Sequence, residues 1–475
     1  MFSSRVLAFY QHNYEDIMIS QNTKKSKPRK TRTKKAVKLE ALDYINVNAA
    51  GIDIGSKSHF IAVPLGRDSE HVREFQTFTN SLIELVEWLK KLRITTVAME
   101  STGVYWIPVY DLLEANGFQV LLVNARHIKN VPGRKTDVLD CQWIQQLHSY
   151  GLLRGSFRPM EQILKMRTLM RHRATLIEYA SSHVQHIQKS LYLMNIQLNN
   201  VIRDVMGVTG MKIIREIVNG ERDPVKLAQY RDPACKNSEE VIRASLVGNY
   251  QEDHMFCLKQ ALQLYDFYSL KIAECDGQIE KVMSEMEALS DKEKAIPTKP
   301  QTKKHAFSFD MHQELARIAG VDLTAIPGLN VQSVSKIISE IGVDMSRWKT
   351  SKQFAAWLGL CPGNKVSGGK RLSGKTAPSS NKAAAAFRMG ANALRFSDSA
   401  LGAFFRRLNS RLSAAKAITA GAHKLAVILY NMLKTGEEYI ESGARYYEER
   451  YKDRCIRNLE KKACQFGFML VPISP

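Results

Sequence analysis

The sequence predicts a mixed α/β domain followed by a mainly helical remainder. Two observations carry that prediction. Residues 45–155 alternate short apolar runs of strand type with stretches of helical periodicity. From residue 160 onward, apolar positions recur at spacings of three and four.

The first region opens with INVNAAGIDIG, an apolar run compatible with a strand. HFIAVPL follows after a short turn at Ser56-Lys57-Ser58, as in a hairpin, and REFQTFTN supplies a third strand. SLIELVEWLKKL is helical, with Ser81 near its start. ITTVAME is a buried-type strand. Residues 105–115 form a helix closed by Asn116-Gly117, FQVLLVN is another strand, and TDVLDCQWIQQLHSYG is a last helix. An antiparallel opening followed by βαβ units is the layout of a ribonuclease H-like domain.

Residues 156–290 read as a long helical connector. One seam runs through Ile163, Met166, Met170, Ile177, Ala180, Val184, Ile187, Leu191 and Met194, skipping a position at Arg173. A second runs through Leu258, Ala261, Tyr265, Tyr268, Ile272, Cys275, Ile279, Val282, Met286 and Leu289. Such heptads make coiled coils. Pairing with each other and pairing with another subunit are equally open. Between the seams, residues 206–250 are mixed, with turn signals at Asn219-Gly220 and Asp232-Pro233.

The flanks are polar. Residues 1–44 form a tail, and QNTKKSKPRKTRTKKAVKL within it carries nine Lys/Arg and no acid. Such a segment buries no apolar area; it is expected to be disordered alone and to touch phosphates. Residues 291–312 form a polar linker with two prolines. Residues 313–440 are mainly helical. Their AIPGLNVQSVSKIISEIG reads either as a helix-hairpin-helix presenting backbone N–H groups to phosphate or as an ordinary Pro-Gly turn before a helix. Residues 441–475 are a C-terminal extension.

Charge narrows the partner. The 475 residues hold 68 Lys+Arg against 47 Asp+Glu, a net +21, which points to a polyanion, most often nucleic acid. The seven cysteines form no C-x-x-C pair and no disulfide framework, so zinc is not expected and a reducing cytoplasm fits. No apolar run reaches a membrane span's length of roughly 18 residues, and the N-terminus lacks a signal-peptide layout.

Four carboxylates suggest chemistry. Asp53 interrupts the first apolar run, where a charge is costly unless paired or metal-bound. Glu100 ends TTVAME. Asp137 and Asp140 lie three apart on one helix and so share a face. Converging carboxylates repel unless divalent cations lie between them. Two magnesium or manganese ions in such a site would suit in-line phosphodiester attack. Singly, each acid has a structural reading: Asp137 and Asp140 complement a helix N-terminus, and Glu100 is a loop acid.

A Gly-rich basic loop, LCPGNKVSGGKRLSGKTAPSSNK, is the second constellation. Ser367 precedes Gly368-Gly369, with Lys365, Lys370, Arg371 and Lys375 around it. Glycines permit close backbone approach, the cations neutralise phosphate, and an activated serine attacks phosphorus. From spacing alone, Ser367 reads as a phosphate hydrogen-bonder rather than a nucleophile. Residues 369–376, GKRLSGKT, fit the P-loop spacing but lack the preceding strand and the helix opening at the lysine.

GIDIGSKSH, AMESTGVYW, NARHIKNVPGRKTDVLDCQW, IPGLNVQSVSKIISEIG, FAAWLGLCPGNKVSGGKRLSGK and HKLAVILYNMLKTGEEY occur in that order. As a set they resemble the DEDD-type transposases of insertion sequences, over roughly residues 45–155 and 320–437. The resemblance implies a RuvC-like N-terminal domain, a helical connector and a C-terminal transposase domain. It implies Asp53, Glu100, Asp137 and Asp140 as the metal tetrad and Ser367 as nucleophile in DNA strand cleavage and rejoining. It further implies a homo-oligomer, a dimer or tetramer, in which domains of different subunits meet. Some members are directed by a structured guide RNA, the bridge RNA, so such an RNA joins DNA as an expected partner. The expected location is the cytoplasm, at the nucleoid when bound to DNA. Three other readings compete. A resolvase or structure-specific endonuclease would use the same carboxylates with water as nucleophile. An ATP-dependent enzyme would use GIDIGSKSHF as an actin-like phosphate loop, but no second such loop follows. A non-enzymatic nucleic-acid binder leaves Asp53 unexplained.

Overall fold

The computed structural model describes residues 43–101, 103–124, 137–288, 305–376 and 378–471. The expected basic tail, up to residue 42, and the linker's residues 291–304 lie outside them. The chain divides into two compact units, one ending at Phe157 and the other beginning at Arg158.

The first unit realises the predicted order. The strands β1 (Ala49–Ile54), β2 (Ser58–Ala62) and β3 (Val72–Gln76) are followed by α1 (Thr79–Lys91), β4 (Thr96–Glu100), α2 (Trp106–Ala115), β5 (Gln119–Val123) and α3 (Asp137–Ser149). The sheet order is β3-β2-β1-β4-β5. β1, β2 and β3 are antiparallel neighbours, whereas β4 runs parallel to β1 and β5 parallel to β4. A mixed five-stranded sheet of this order with flanking helices is a ribonuclease H-like α/β domain.

Strand alternation sorts the side chains onto two faces. Ala50, Ile52 and Ile54 of β1, with Val97 and Met99 of β4, join one core with Leu85 and Leu89 of α1 and Val109 and Leu113 of α2. The intervening residues face the other way, where Ala98, Val123 and Ile144 of α3 pack together. Helix α1 starts at Thr79, earlier than expected, and Ser81 instead accepts a hydrogen bond from Gln76 N at 3.1 Å.

In the second unit, α4 (Glu161–Leu193) and α9 (Glu252–Ser284) are long helices of 33 residues each. They pair with each other, antiparallel: Gln162 reaches Glu285, Arg173 reaches Asp276, and Tyr179 meets Tyr268. Most of the predicted seam is buried, including Ile163, Met166, Met170, Ala180, Ile187, Leu191, Leu258, Ala261, Cys275 and Ile279. Leu176 rather than Ile177, and Met283 rather than Val282, are the buried neighbours. The skipped position is buried too. Arg173 Nε donates to Asp276 Oδ1 at 2.5 Å, and Arg173 also donates to the carbonyls of His305 and Ala306.

Residues 206–250 resolve into part of a cap on the hairpin's far end. Helices α5 (Leu198–Val201), α6 (Val208–Asn219), α7 (Pro224–Ala228) and α8 (Glu239–Ser245) surround a core of Ile213, Ile217, Leu227 and Ile242 against Ile187 and Leu258. Gly220, at φ +109°, ends α6 in the left-handed conformation that the Asn219-Gly220 signal implies.

The remaining elements are α10 (Met311–Ala319), α11 (Val331–Ile341), α12 (Ser351–Trp357), a hairpin of β6 (Lys365–Ser367) and β7 (Lys370–Ser373), α13 (Lys382–Ala393), α14 (Ala400–Arg411), α15 (Ala414–Thr435) and α16 (Gly443–Gln465). Residues 305–312, assigned to the linker, are packed: Phe307, Met311 and His312 are buried, and Ser308 N donates to Asp276 Oδ2 at 3.1 Å. Within the second compact unit, Arg167 and Arg171 of α4 hold Glu340 of α11. The Pro-Gly turn is committed to packing: Gly328, at φ +87°, lies so close to α13 that a β-carbon there would sit 2.5 Å from the Gly390 carbonyl oxygen. That close approach accounts for the glycine without a ligand.

Candidate active site

Residue periodicity places two carboxylates side by side. β1 and β4 pair in parallel through Ile52 opposite Met99. One residue further on, Asp53 and Glu100 occupy the adjacent C-terminal strand ends. Both belong to the face that carries Gly51 and Ala98, which is the face covered by α3. Glu100 is buried and Asp53 is half-buried.

The distance between α3 and β1 depends on Gly51. A β-carbon at Gly51 would lie 2.5 Å from the Cys141 carbonyl oxygen and in contact with Gln145 N, so the helix backbone rests directly on the strand. Gln145 adds a bond to Ala49 O at 3.3 Å. Asp140, in the first turn of α3, is thereby brought to the Asp53 end of the sheet. Cys141 reports the arrangement. Its thiol is pushed up to about 12, first by burial, then by the negative charge of Asp53 and also by that of Asp140. Two of the predicted carboxylates therefore act electrostatically on one buried group.

Asp137 opens α3, three residues before Asp140; its side chain is not among those described. Among the described residues, no group of three or more His, Cys, Asp and Glu side chains forms a ready metal centre. The donor chemistry nevertheless fits a hard divalent cation, since all the candidate ligands are carboxylate oxygens and the nearest cysteine is held protonated. Sequence reasoning missed Gly51 and Cys141. A glycine inside an apolar strand run was the available signal for close backbone approach.

The serine segment is not an open loop. Ser367 pairs with Lys370 across a two-residue turn, and Gly368 and Gly369 have φ of +56° and +75°. This is the turn class that two successive left-handed residues favour. A β-carbon on either glycine would meet nothing within 4 Å, so backbone conformation, rather than crowding, requires them. The base of the hairpin is fixed by Gly363 N donating to Lys375 O at 2.9 Å. Ser367, Lys370 and Lys375 are exposed; the side chains of Lys365 and Arg371 are not among those described. Ser373 accepts a bond from Lys375 N, and Ser379 one from Asn381 N, so both hydroxyls serve local turns. Residues 370–373 of the P-loop-like stretch form a strand, and the next helix opens only at Lys382, which removes the nucleotide-loop geometry.

A ribonuclease H-like sheet with carboxylates at its strand ends defines a class of enzymes that act on nucleic-acid phosphodiesters. Family comparison gives the particular group. Residues 50–196 match the transposase model of the IS110 DEDD type, and residues 309–405 match the transposase model of the IS116/IS110/IS902 family. The chain is an IS110-type transposase, an enzyme acting on DNA. A search of curated proteins gives no match. No described helix is long and apolar enough to cross a membrane.

Proposed function

We propose that this transposase cleaves and rejoins DNA through a serine–DNA ester, with divalent metal held by Asp53, Glu100, Asp137 and Asp140. The observation that carries the metal reading is the adjacency of Asp53 and Glu100 on the α3 face, with Asp53 and Asp140 both acting on Cys141. Bound magnesium or manganese, as one ion or two, would lower the pKa of the attacking hydroxyl and neutralise charge on phosphorus. Ser367 Oγ then bonds to phosphorus, the P–O bond of the scissile ester breaks, the hydroxyl proton is released, and the leaving oxygen departs as a strand end. Attack by another strand's hydroxyl reverses the exchange, so no nucleotide is needed for rejoining. Lys365, Lys370, Arg371 and Lys375, with the backbone at Gly368 and Gly369, hold the phosphate. The exposure of Ser367 and the local engagement of Ser373 and Ser379 support this choice of nucleophile.

The proposal extends to the RuvC-like character of the first unit, a coiled-coil role for the α4–α9 hairpin, a homo-oligomeric assembly, action in the cytoplasm and at the nucleoid, and a structured guide RNA. Sequencing of RNA co-purified with the protein tests the last: a discrete structured species is expected, and random fragments would remove it. The chemistry is tested by denaturing electrophoresis of labelled DNA with wild type, Ser367→Ala and Ser373→Ala. An adduct in wild type and Ser373→Ala, absent from Ser367→Ala, is expected. Loss in Ser373→Ala alone would move the nucleophile to that residue. Cleavage without any adduct would return the chemistry to water and to an endonuclease or resolvase.

A further inference from the structure

Helix α16 lies beyond both matched segments, the later of which ends at residue 405. Its first turns are anchored to α14. Arg407 sits over the Tyr447 and Tyr451 rings, and Phe404 meets Tyr447 edge-on. The rest has no such support. No residue of this 23-residue helix is buried.

The exposed part is patterned. Arg450, Arg454, Arg457 and Lys461 follow spacings of four, three and four, so they line one face. All four are exposed, and none of Arg454, Arg457 and Lys461 is ion-paired among the described residues. Asp453 and Glu460 occupy the neighbouring face and form no ion pair with the stripe among the described residues; Arg457 Nε donates to the Asp453 backbone carbonyl at 3.4 Å. Tyr446 lies one turn before Arg450, whose guanidinium sits over its ring, and Tyr451 lies between Arg450 and Arg454, with Arg454 over its ring. A solvated helix face ordinarily mixes its signs. Here one sign is sorted onto one stripe.

We infer that α16 is a DNA-docking arm whose basic stripe lies along the phosphates of a duplex outside the reacting site. Charge complementarity selects the partner, since the enzyme's substrate is a polyanion. Length also fits. From Arg450 to Lys461 the helix rises roughly 16 Å, about the axial length of five phosphates on one strand. The inference rests on the chain acting on DNA.

The test measures affinity of the full-length protein for duplex DNA against salt. The variants are the triple Arg454→Gln/Arg457→Gln/Lys461→Gln and, as control on another face, Lys452→Gln. The triple variant should flatten the log–log slope by roughly 2.7, about 0.9 for each lost phosphate contact, and the control should not. An unchanged slope in the triple variant overturns the inference, while binding by wild type leaves the enzyme reading intact. No DNA binding by wild type would sink both. A loss seen only with duplex RNA reassigns the arm away from DNA and overturns the proposal. So does a loss of self-association at unchanged slope, in which case the exposed Phe466, Phe468 and Met469 beyond α16 would mark a contact between copies.

Discussion

The carboxylate face and the serine hairpin are built on opposite terms. Asp53 and Glu100 stand at the ends of adjacent central strands, under a helix resting backbone to backbone on one of them. Ser367 stands at the tip of a short two-stranded ribbon whose described side chains, Val366 and Leu372 included, are largely exposed. A packed sheet holds charges in place whether or not a ligand is present. An isolated hairpin is marginal in water and gains order from what it binds. The difference teaches that one half of the proposed chemistry is positioned by folding and the other by substrate.

The largest effect that could break this comparison is chemical. Asp53→Asn should lower strand cleavage by at least about 10³-fold, the several kcal/mol that a metal site contributes. The variant should still melt cooperatively, which separates loss of chemistry from loss of fold. Near-normal cleavage in magnesium would remove Asp53 from the site. Next comes metal binding without turnover. Manganese at about 100 times its dissociation constant should stabilise the first unit by roughly 2.7 kcal/mol, and Asp53→Asn should abolish that gain. A melting curve insensitive to manganese would argue against a carboxylate metal site.

Two alanine substitutions sharpen the contrast directly. Gly51→Ala forces α3 away from β1 and should cost about 1–3 kcal/mol of stability, as overpacking does. Gly368→Ala meets open space but puts an L side chain into the left-handed region, a strain of about 1–2 kcal/mol borne by the exposed hairpin, so melting of the packed core should move less than in Gly51→Ala. It should nonetheless slow adduct formation, because the left-handed turn is strained. Equal thermal effects of the two substitutions would refute the distinction.

Acid should have a gentler effect. His148 of α3 is buried, its Nε2 2.8 Å from Thr96 Oγ1, and burial lowers its pKa to about 4. It folds neutral and must charge on unfolding below its ordinary value near 6.5. The stability it contributes is therefore present above about pH 6.5 and is lost as pH falls toward 4. Between pH 7.5 and 5.5 the loss should be about 1 kcal/mol, and His148→Gln should flatten it. Chemical denaturation of wild type and variant at the two pH values checks the sign.

Much of the sheet unit was legible because strand alternation and helix periodicity are local signals. Asp53 announced itself as a charge in an apolar run. What joined Asp53 to Asp140 was not local: the α3–β1 contact at Gly51 joins residues some ninety positions apart, and no periodicity encodes it. The hairpin was misread for another reason. Gly-Gly between two short runs is a hairpin signal, but Lys365, Lys370 and Arg371 hid the alternation. Arg173 was read as a gap in an apolar seam, since its partner Asp276 appears only when the two helices are laid side by side.

That buried pair also bears on how the long hairpin finds its alignment. Apolar residues at heptad spacing fit almost as well after a slide of one repeat as before it, so a purely greasy seam tolerates slippage. Slide α9 by seven residues and Arg173 would face Ser269 or Met283, leaving a guanidinium walled in without a counter-charge, an error worth about 3–5 kcal/mol. Arg173 and Asp276 thus work as a vernier mark, at which only one setting of two smooth rods reads true.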